Sequence, residues 1–415
     1  MTITAIRGFN DILPGESALW RHIEDEAVKV FSACGFSEIR VPVADRTELF
    51  LRSIGETTDI VEKEMYTFTD RHGDSLTLRP EGTAPVVRAY VEHKLYTSPV
   101  TKLFYAGPMF RYERPQKGRY RQFYQIGAEV LGDESPRADA ETIGMLVELF
   151  RRLDVSGITL HINSLGCAEC RPGYKSRLKI FLQGVKERLC ENCQRRMDAN
   201  PLRALDCKSP KCIEATENAP RITEHLCQPC NVHFERVKHG LAGLNIAPNI
   251  NPRMVRGLDY YSKTTFEITA EESLGSQNAI AAGGRYDGLV SDLGGPATPC
   301  FGFAIGMERL AIVIKDKGFQ ERPLAAFIAL GAAAEKKGIE LLKLWRGAGL
   351  RITEDFSEAP LKKRMKRVDQ IGASFAVILG EDEIKEGVVS LKDLKTAEQE
   401  KVKWENVVQR VFKVK

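Results

Sequence analysis

Between residues 64 and 131 the chain repeats one pattern. Short segments of alternating apolar residues, MYTFTD, SLTLRP, KLFYAGPMFRYE and RQFYQIGAEVLG, are parted by Gly, Pro and Asp. Side chains on a strand point alternately to two faces, so this spacing demands an antiparallel sheet with one face buried. The pattern returns in TTFEITA, in AIAAGGRYDGLV, where the double glycine predicts a turn, and in CFGFAIGMERLAIVI, a strand running through Gly306 into a helix. A sheet that stops and then resumes implies an insertion, and residues 161–240, cysteine-rich and charged with no sheet pattern, supply it.

Around this sheet the periodicity changes. Leu19, Ile23, Ala27, Val30 and Phe31 recur at helical spacing, with Ser17 as the expected N-cap and Gly35 as the stop. In FSEIRVPVAD, Ile39, Val41 and Val43 alternate, and Pro42 cannot donate to a central ladder, which predicts an edge strand or a strand end. Helical spacing returns at 136–152. Beyond Arg322-Pro323, the apolar segments LAAFIAL and FAVILG alternate with helical stretches, the mark of a small α/β domain with a mostly parallel sheet.

A chain of 415 residues is too long for one core, and two or three domains are expected. No apolar run approaches a bilayer span, and MTITAIRGFNDILPGES lacks the basic and apolar regions of a secretory leader, so a cytoplasmic enzyme is the expectation. Net charge is +4, and residues 321–415 hold 19 Lys and Arg against 15 Asp and Glu, leaving 41 of each sign before them.

The stretch FRYERPQKGRYRQFYQ at 110–125 carries four arginines, one lysine, one acid and five aromatic rings. It joins two of the expected strands. On pattern alone it is a basic hairpin, a nucleic-acid patch or a nucleotide site. The chain has no G-x-x-x-x-G-K-[ST] loop and no GxGxxG between strand and helix. A nucleotide would therefore be held by arginines, whose planar fork matches phosphate oxygens, and by aromatic faces on an antiparallel sheet.

Phe-Arg-x-Glu, a loop, then Arg-x-x-x-Phe resembles motif 2 of the class II aminoacyl-tRNA synthetases. CFGFAIGMERL resembles motif 3, and the N-terminal helix with Pro42 resembles motif 1. VRGLDYY (255–261), AAGGRYDGL (281–289) and RGFNDILP near the N-terminus resemble segments of histidyl-tRNA synthetases. The resemblance implies an α+β fold: a class II synthetase-type antiparallel sheet catalytic domain over 1–322, interrupted by the inserted domain at 161–240, and an α/β anticodon-binding domain over 323–415. It implies activation of L-histidine with ATP and Mg²⁺, transfer to tRNA(His), and a homodimer with no membrane partner.

By the same resemblance Arg256 and Arg111 are the catalytic cations at the α-phosphate, and Arg309 lies along the γ-phosphate. Glu113, Arg119 and Tyr120 contact ATP, and Phe123 stacks on adenine. Histidine would be held by Glu81, Thr83, Gln125, Glu129, Asp259, Tyr260, Tyr261 and Tyr286. The chemistry fits these types: carboxylate attack on phosphorus builds negative charge that fixed guanidinia stabilise, and a buried imidazole needs a partner at each nitrogen. Read singly, Glu81 is also a candidate helix cap. KKRMKR at 362–367 would attract the tRNA backbone, or would be a solvated helix face.

Eight of the ten cysteines fall in CAEC, CENC, CKSPKC and CQPC, that is Cys167, Cys170, Cys190, Cys193, Cys207, Cys212, Cys227 and Cys230. Close pairs in a chain of this kind read as metal ligands, with structural Zn²⁺ the expected ion. Two tetrahedral sites, one site with spare thiols, and reduced thiols without metal all satisfy the spacing. The rival to a synthetase is a catalytically silent paralogue acting as regulatory subunit of a histidine-biosynthetic phosphoribosyltransferase. Retention of Arg256, AAGGRYDGL and the C-terminal domain stands against it.

Overall fold

The computed structural model describes residues 2–55, 58–198, 200–270, 278–316, 318–319 and 321–413. They fall into two compact units, residues 1–319 and 320–415. The strands of the first are β1 (Ser37–Glu38), β2 (Ala44–Arg46), β3 (Tyr66–Thr69), β4 (Ser75–Leu78), β5 (Thr101–Phe110), β6 (Gln122–Leu131), β7 (Ile158–Ser164), β8 (Asn249–Ile250), β9 (Ser262–Ala270), β10 (Ala279–Arg285) and β11 (Cys300–Gly306). Eight build one sheet in the order β1-β5-β6-β11-β10-β9-β7-β8, and β2-β4-β3 form a small second sheet. Every pairing in the large sheet is antiparallel except the edge pairs β1 with β5 and β7 with β8.

The two faces of the large sheet differ because the alternation is strict. Ile126, Ala128 and Val130 of β6, Phe266 and Ile268 of β9, and Phe301, Phe303 and Ile305 of β11 all point into one buried cluster. Four helices close it: Glu16–Ala33, Pro136–Arg152, Gln228–Gly243 and Met307–Asp316. Phe31 is fully buried there, with ring centroids 5.7 Å from Phe104 and 5.8 Å from Phe303. Each such side chain contributes roughly 1.5–3 kcal/mol on burial. On the opposite face the central strands carry Ala282, Gly302, Ala304 and Gly306, which leave a depression.

Local detail departs from the sequence reading in four places. The first helix starts at Glu16, one residue before Ser17, whose N–H already donates to Leu13 O at 2.9 Å, so Ser17 does not cap it. Residues 39–43 form no strand, though Ile39 N–H donates to Phe104 O at 2.8 Å and Val43 O accepts from Arg79 N–H at 2.9 Å, and the edge strand itself is the two residues of β1. Gly283-Gly284 is not a turn but the middle of β10: a Cβ on Gly283 would stand 2.1 Å from Gly302 O, so the glycine serves close strand approach. The section at 161–240 is partly sheet and core. His161–Ser164 belong to β7, and Phe234, Val237 and Leu241 of helix Gln228–Gly243 lie in the main cluster.

The second unit holds β12 (Ala325–Ala329), β13 (Ile352–Glu354), β14 (Phe375–Leu379), β15 (Val388–Asp393) and β16 (Gln399–Lys403), ordered β13-β12-β14-β15-β16. Only β13-β12-β14 is parallel; β15 and β16 form an antiparallel hairpin. The sequence reading missed this hairpin because β16 is polar and exposed but for Val402. Alternate residues of β12 face two layers, Phe327 toward helix Ala332–Gly347 and Ile328 toward helix Leu361–Gln370. That second helix carries KKRMKR, where Arg364 is turned inward, donating to Ala329 O at 2.6 Å and to Asp355 Oδ2 at 3.1 Å. Lys362, Lys363, Lys366 and Arg367 remain exposed.

Candidate active site

A cleft of about 370 Å³ opens over the small-residue face of β6, β10 and β11. Twelve of the residues expected from sequence line it: Glu81, Thr83, Arg111, Glu113, Arg119, Tyr120, Phe123, Gln125, Arg256, Tyr260, Tyr261 and Arg309. They arrive from four places: the turn before helix Thr83–Glu92, the β5-β6 hairpin, the segment before β9, and the first turn of helix Met307–Asp316.

Four guanidinium groups converge here. Arg111 donates from Nε to Pro80 O at 2.8 Å and lies over the Phe123 ring, 5.2 Å from its centroid. Arg119 is paired with Glu113. Arg256 donates from Nη1 to Glu267 Oε2 at 2.9 Å. Arg309 ties the hairpin to the helix, donating to Gly118 O at 3.3 Å and Ala279 O at 2.8 Å. Burial lowers the pKa of Arg111, Arg119 and Arg309, and Arg119 and Arg111 lower that of Arg309 further. Glu81, Glu113, Glu267 and Glu308 line the same cleft, so it is the fixed guanidinium donors rather than a surplus of charge that suit an anion. Arg256 Nε and Gln125 Oε1 are both buried without a partner, an orphaned donor and acceptor in one cleft.

Beneath the cleft lies a carboxylate that does not line it. Glu129 is fully buried, accepting from Thr83 Oγ1 at 2.7 Å and from Tyr286 OH at 2.5 Å. Burial outweighs these two donors and pushes its pKa up to about 8. It fits because Gly302 faces it across the β6-β11 ladder: a Cβ there would sit 1.7 Å from Glu129 Oε2. Tyr260 joins the group with its ring edge-on to Tyr286 at 5.6 Å and 4.7 Å from Tyr261. Glu81 faces the cleft while accepting from the N–H groups of Thr83 and Ala84 at 2.7 Å each, so it caps helix Thr83–Glu92 as well.

Asp259 is the expected residue that stands apart. Its carboxylate accepts from Asn200 Nδ2 at 3.3 Å and borders a separate cavity of about 150 Å³, because in the Asp-Tyr-Tyr turn only the tyrosines face the cleft. Two acids were not anticipated. Glu267 follows from strand alternation, since its neighbours Phe266 and Ile268 fill the core and the residue between them must face the cleft. Glu308 accepts from Tyr124 N–H at 2.9 Å, and burial pushes it up to about 7; only its place beside Arg309 hints at it in sequence.

The insertion sorts its cysteines into two sets. Cys167, Cys170, Cys227 and Cys230 form one and Cys190, Cys193, Cys207 and Cys212 the other, the sulfurs of each set lying within 4.8 Å of one another. Separations of 3.8 Å for Cys167 to Cys170, 3.7 Å for Cys167 to Cys227 and 3.9 Å for Cys190 to Cys207 are far beyond a disulfide. They match the ~3.8 Å edge of a sulfur tetrahedron with metal–sulfur bonds of ~2.3 Å. Burial opposes it, yet the N–H groups of Cys170 and Glu169 bring the Cys167 thiol down to about 7. Among the described residues these are the only groups of three or more metal-type ligands.

Comparison with known proteins follows the same division. The family model described as histidyl-tRNA synthetase matches residues 8–171 and 178–310, and one described as an anticodon binding domain matches 325–413. A curated relative from Syntrophotalea carbinolica named histidine–tRNA ligase is 52% identical over 414 residues, covering 99% of each chain. The crystal structure of apo S. aureus histidyl-tRNA synthetase superposes with a TM-score of 0.77 at 35% identity over 99% of this chain and 100% of that one. A Bacillus halodurans structure described as an ATP phosphoribosyltransferase regulatory subunit/histidyl-tRNA synthetase gives 0.66 at 18% identity over 92% of this chain and 99% of that one, a likeness of fold alone.

Proposed function

The chain belongs to the histidyl-tRNA synthetase family, and from that premise we propose how its cleft works. It is an aminoacyl-tRNA ligase: it activates L-histidine with ATP to histidyl-adenylate and pyrophosphate, then passes histidine to the 3′ end of tRNA(His). The observation that carries this is the convergence of four arginines on one cleft above a buried carboxylate and hydroxyl floor. Cations await the triphosphate, and the floor awaits an imidazole.

The adenine would stack on Phe123, already partnered by the Arg111 guanidinium. Arg111 and Arg256 would flank the α-phosphate, where negative charge grows as the histidine carboxylate attacks. Arg256 is anchored by Glu267 at one nitrogen and keeps Nε free for an oxygen. Because these donors are fixed before substrate arrives, little reorganisation is needed in the transition state. Arg309, held to the hairpin by Gly118 O, would reach the γ-phosphate, and Mg²⁺ would be carried on the phosphates. Gln125, Thr83 and Glu81 stand where the amino group would bind. Glu129, Tyr261 and Tyr286 stand where the ring would, and pairing both imidazole nitrogens in this buried floor gives selectivity.

The geometry of the two cysteine sets supports two structural Zn²⁺ ions. The edge strand β1, with Val28 and Val43 exposed near it, supports a homodimer formed through this edge. Among the described residues no helix is long and apolar enough to cross a membrane. The exposed lysines of helix Leu361–Gln370 would meet the tRNA backbone.

Amino-acid-dependent exchange of pyrophosphate into ATP tests the reading. We expect exchange with histidine alone among the twenty amino acids, and a loss of roughly 10²–10³-fold in Arg256→Ala, the scale of removing one preorganised donor. Exchange with no amino acid would overturn the assignment.

A further inference from the structure

The insertion does not hang free of the cleft. Its hydrophobic cluster, built on Tyr174, Leu178, Leu182 and Leu189, runs on into Val255 and Tyr261, the two ends of the segment that carries Arg256. Between the two lies the cavity of about 150 Å³ bordered by Arg171, Arg203 and Asp259, so packing alone does not seat the segment. Hydrogen bonds complete the job. Arg203 donates to Gly257 O at 2.7 Å, and Arg171 donates from Nη2 to Tyr261 O at 2.5 Å.

Arg171 is the better placed of the two, because it follows Cys170 directly. Its guanidinium also donates to Leu165 O at 2.9 Å and Gly166 O at 3.2 Å, and its own N–H donates to Cys167 O at 3.0 Å. One side chain thus spans the loop holding the first two thiols and the carbonyl of a cleft tyrosine. The backbone repeats the link: Leu165 N–H donates to Lys263 O at 2.7 Å, and Lys263 N–H to Gly166 O at 2.8 Å. Lys263 has φ of 45°, a left-handed conformation that a non-glycine residue keeps only where its surroundings impose it.

The other two thiols lead to the opposite wall. Cys227 and Cys230 open helix Gln228–Gly243, and one turn on, His233 Nε2 lies 2.9 Å from Asp139 Oδ2. Asp139 holds the fully buried Arg285 at 2.7 Å, and the next residue, Tyr286, donates to Glu129. The four-sulfur set therefore sits where two chains of contacts meet, one ending at Tyr261 and one at Tyr286.

We propose that a metal ion bound by Cys167, Cys170, Cys227 and Cys230 is coupled to the amino-acid pocket, with Arg171 the positioning residue that transmits its presence to Tyr261. The second set, Cys190, Cys193, Cys207 and Cys212, shapes the interior of the insertion, whose bonds from Arg203 to Gly257 O and from Asn200 to Asp259 stop short of Tyr261. The coupling rests on the activity and the metal reading proposed above.

The test uses the full chain, with zinc per chain measured by elemental analysis, KM for histidine and for ATP from pyrophosphate exchange, and amide hydrogen exchange across 255–263. Arg171→Ala is expected to keep the zinc content of the wild type, to raise KM for histidine roughly tenfold, the scale of one lost charge-assisted hydrogen bond, and to speed amide exchange in that segment. KM for ATP should stay within about twofold. Arg171→Lys, which cannot span the carbonyls, should fall between. Cys227→Ser should lose one zinc equivalent and show the same rise in KM for histidine; if it does not fold, chelation of the wild type supplies that arm. A wild type that exchanges with histidine, beside an Arg171→Ala matching it in KM and amide exchange, overturns the coupling alone. A wild type without zinc overturns the metal reading and the coupling with it, and one without histidine-dependent exchange overturns the activity.

Discussion

The large sheet and the insertion solve the problem of holding a shape by opposite means. The sheet unit closes one face with four helices and fills the space with fully buried rings such as Phe31, Phe266 and Phe301. Among its described residues the insertion between β7 and helix Gln228–Gly243 has one long helix, Cys170–Gly184, and the helices Glu191–Arg196 and Pro210–Ala215 of six residues each, too short to persist alone in water. Two of the buried side chains in its own cluster are Cys193 and Cys212. A small core of this kind calls for staples, and the two four-cysteine sets are placed where metal staples would form. The candidate cleft draws on both: β6 carries Gln125 and Glu129, with Arg111 just past the end of β5, and the insertion bonds to the carbonyls of Gly257 and Tyr261 on either side of the turn after Arg256.

The comparison breaks most sharply under a chelator. Structural zinc in small modules contributes on the order of 10–16 kcal/mol to folding, so its removal should open residues 165–227 to protease while the amides of β5, β6 and β11 stay protected. Equal protection of the insertion with and without metal would show that its apolar cluster suffices. A smaller effect comes from the sheet side. Phe31→Ala should lower the unfolding free energy by about 3–5 kcal/mol, as expected for a fully buried ring, without changing zinc content. Loss of zinc in that variant would mean the two regions fold as one.

The smallest expected effect sharpens the description of the cleft floor. Glu129 has its pKa raised by burial to about 8, above the ordinary 4.5 of the unfolded chain. Between those values the folded state binds a proton that the unfolded state has lost, so stability due to this group is full below about pH 4.5 and falls as pH rises through 8. Glu129→Gln carries no charge at any pH. Relative to the wild type it should therefore melt higher at pH 9 than at pH 6, when both are compared without ligand. A difference independent of pH would mean that Glu129 is ionised in the empty site.

Much of the site was legible because alternation reports faces. Once β6 is a strand with Ile126, Ala128 and Val130 inward, Phe123, Gln125 and Glu129 must share the other side, and the same logic reaches Glu267 on β9, which was overlooked. Alternation gives no such guide to Asp259, because a turn has no period: it borders the smaller cavity while Tyr260 lines the cleft and Tyr261 reaches both. The double glycine of β10 was misread for a related reason. Glycine marks both tight turns and close strand approach, and only the partner strand tells which.

By itself, then, the sequence determined which residues could bury a face, that a polar section interrupts the sheet, and which cations and rings flank one hairpin, since each of these follows from local periodicity or from residue chemistry. The pairing of the eight thiols, the depth of Glu129 beneath Gly302, and the convergence of Arg171 on Tyr261 were decided only by the tertiary structure. They join residues up to 173 positions apart, as with Glu129 and Gly302, and no local pattern records a contact that exists only once the strands between have paired.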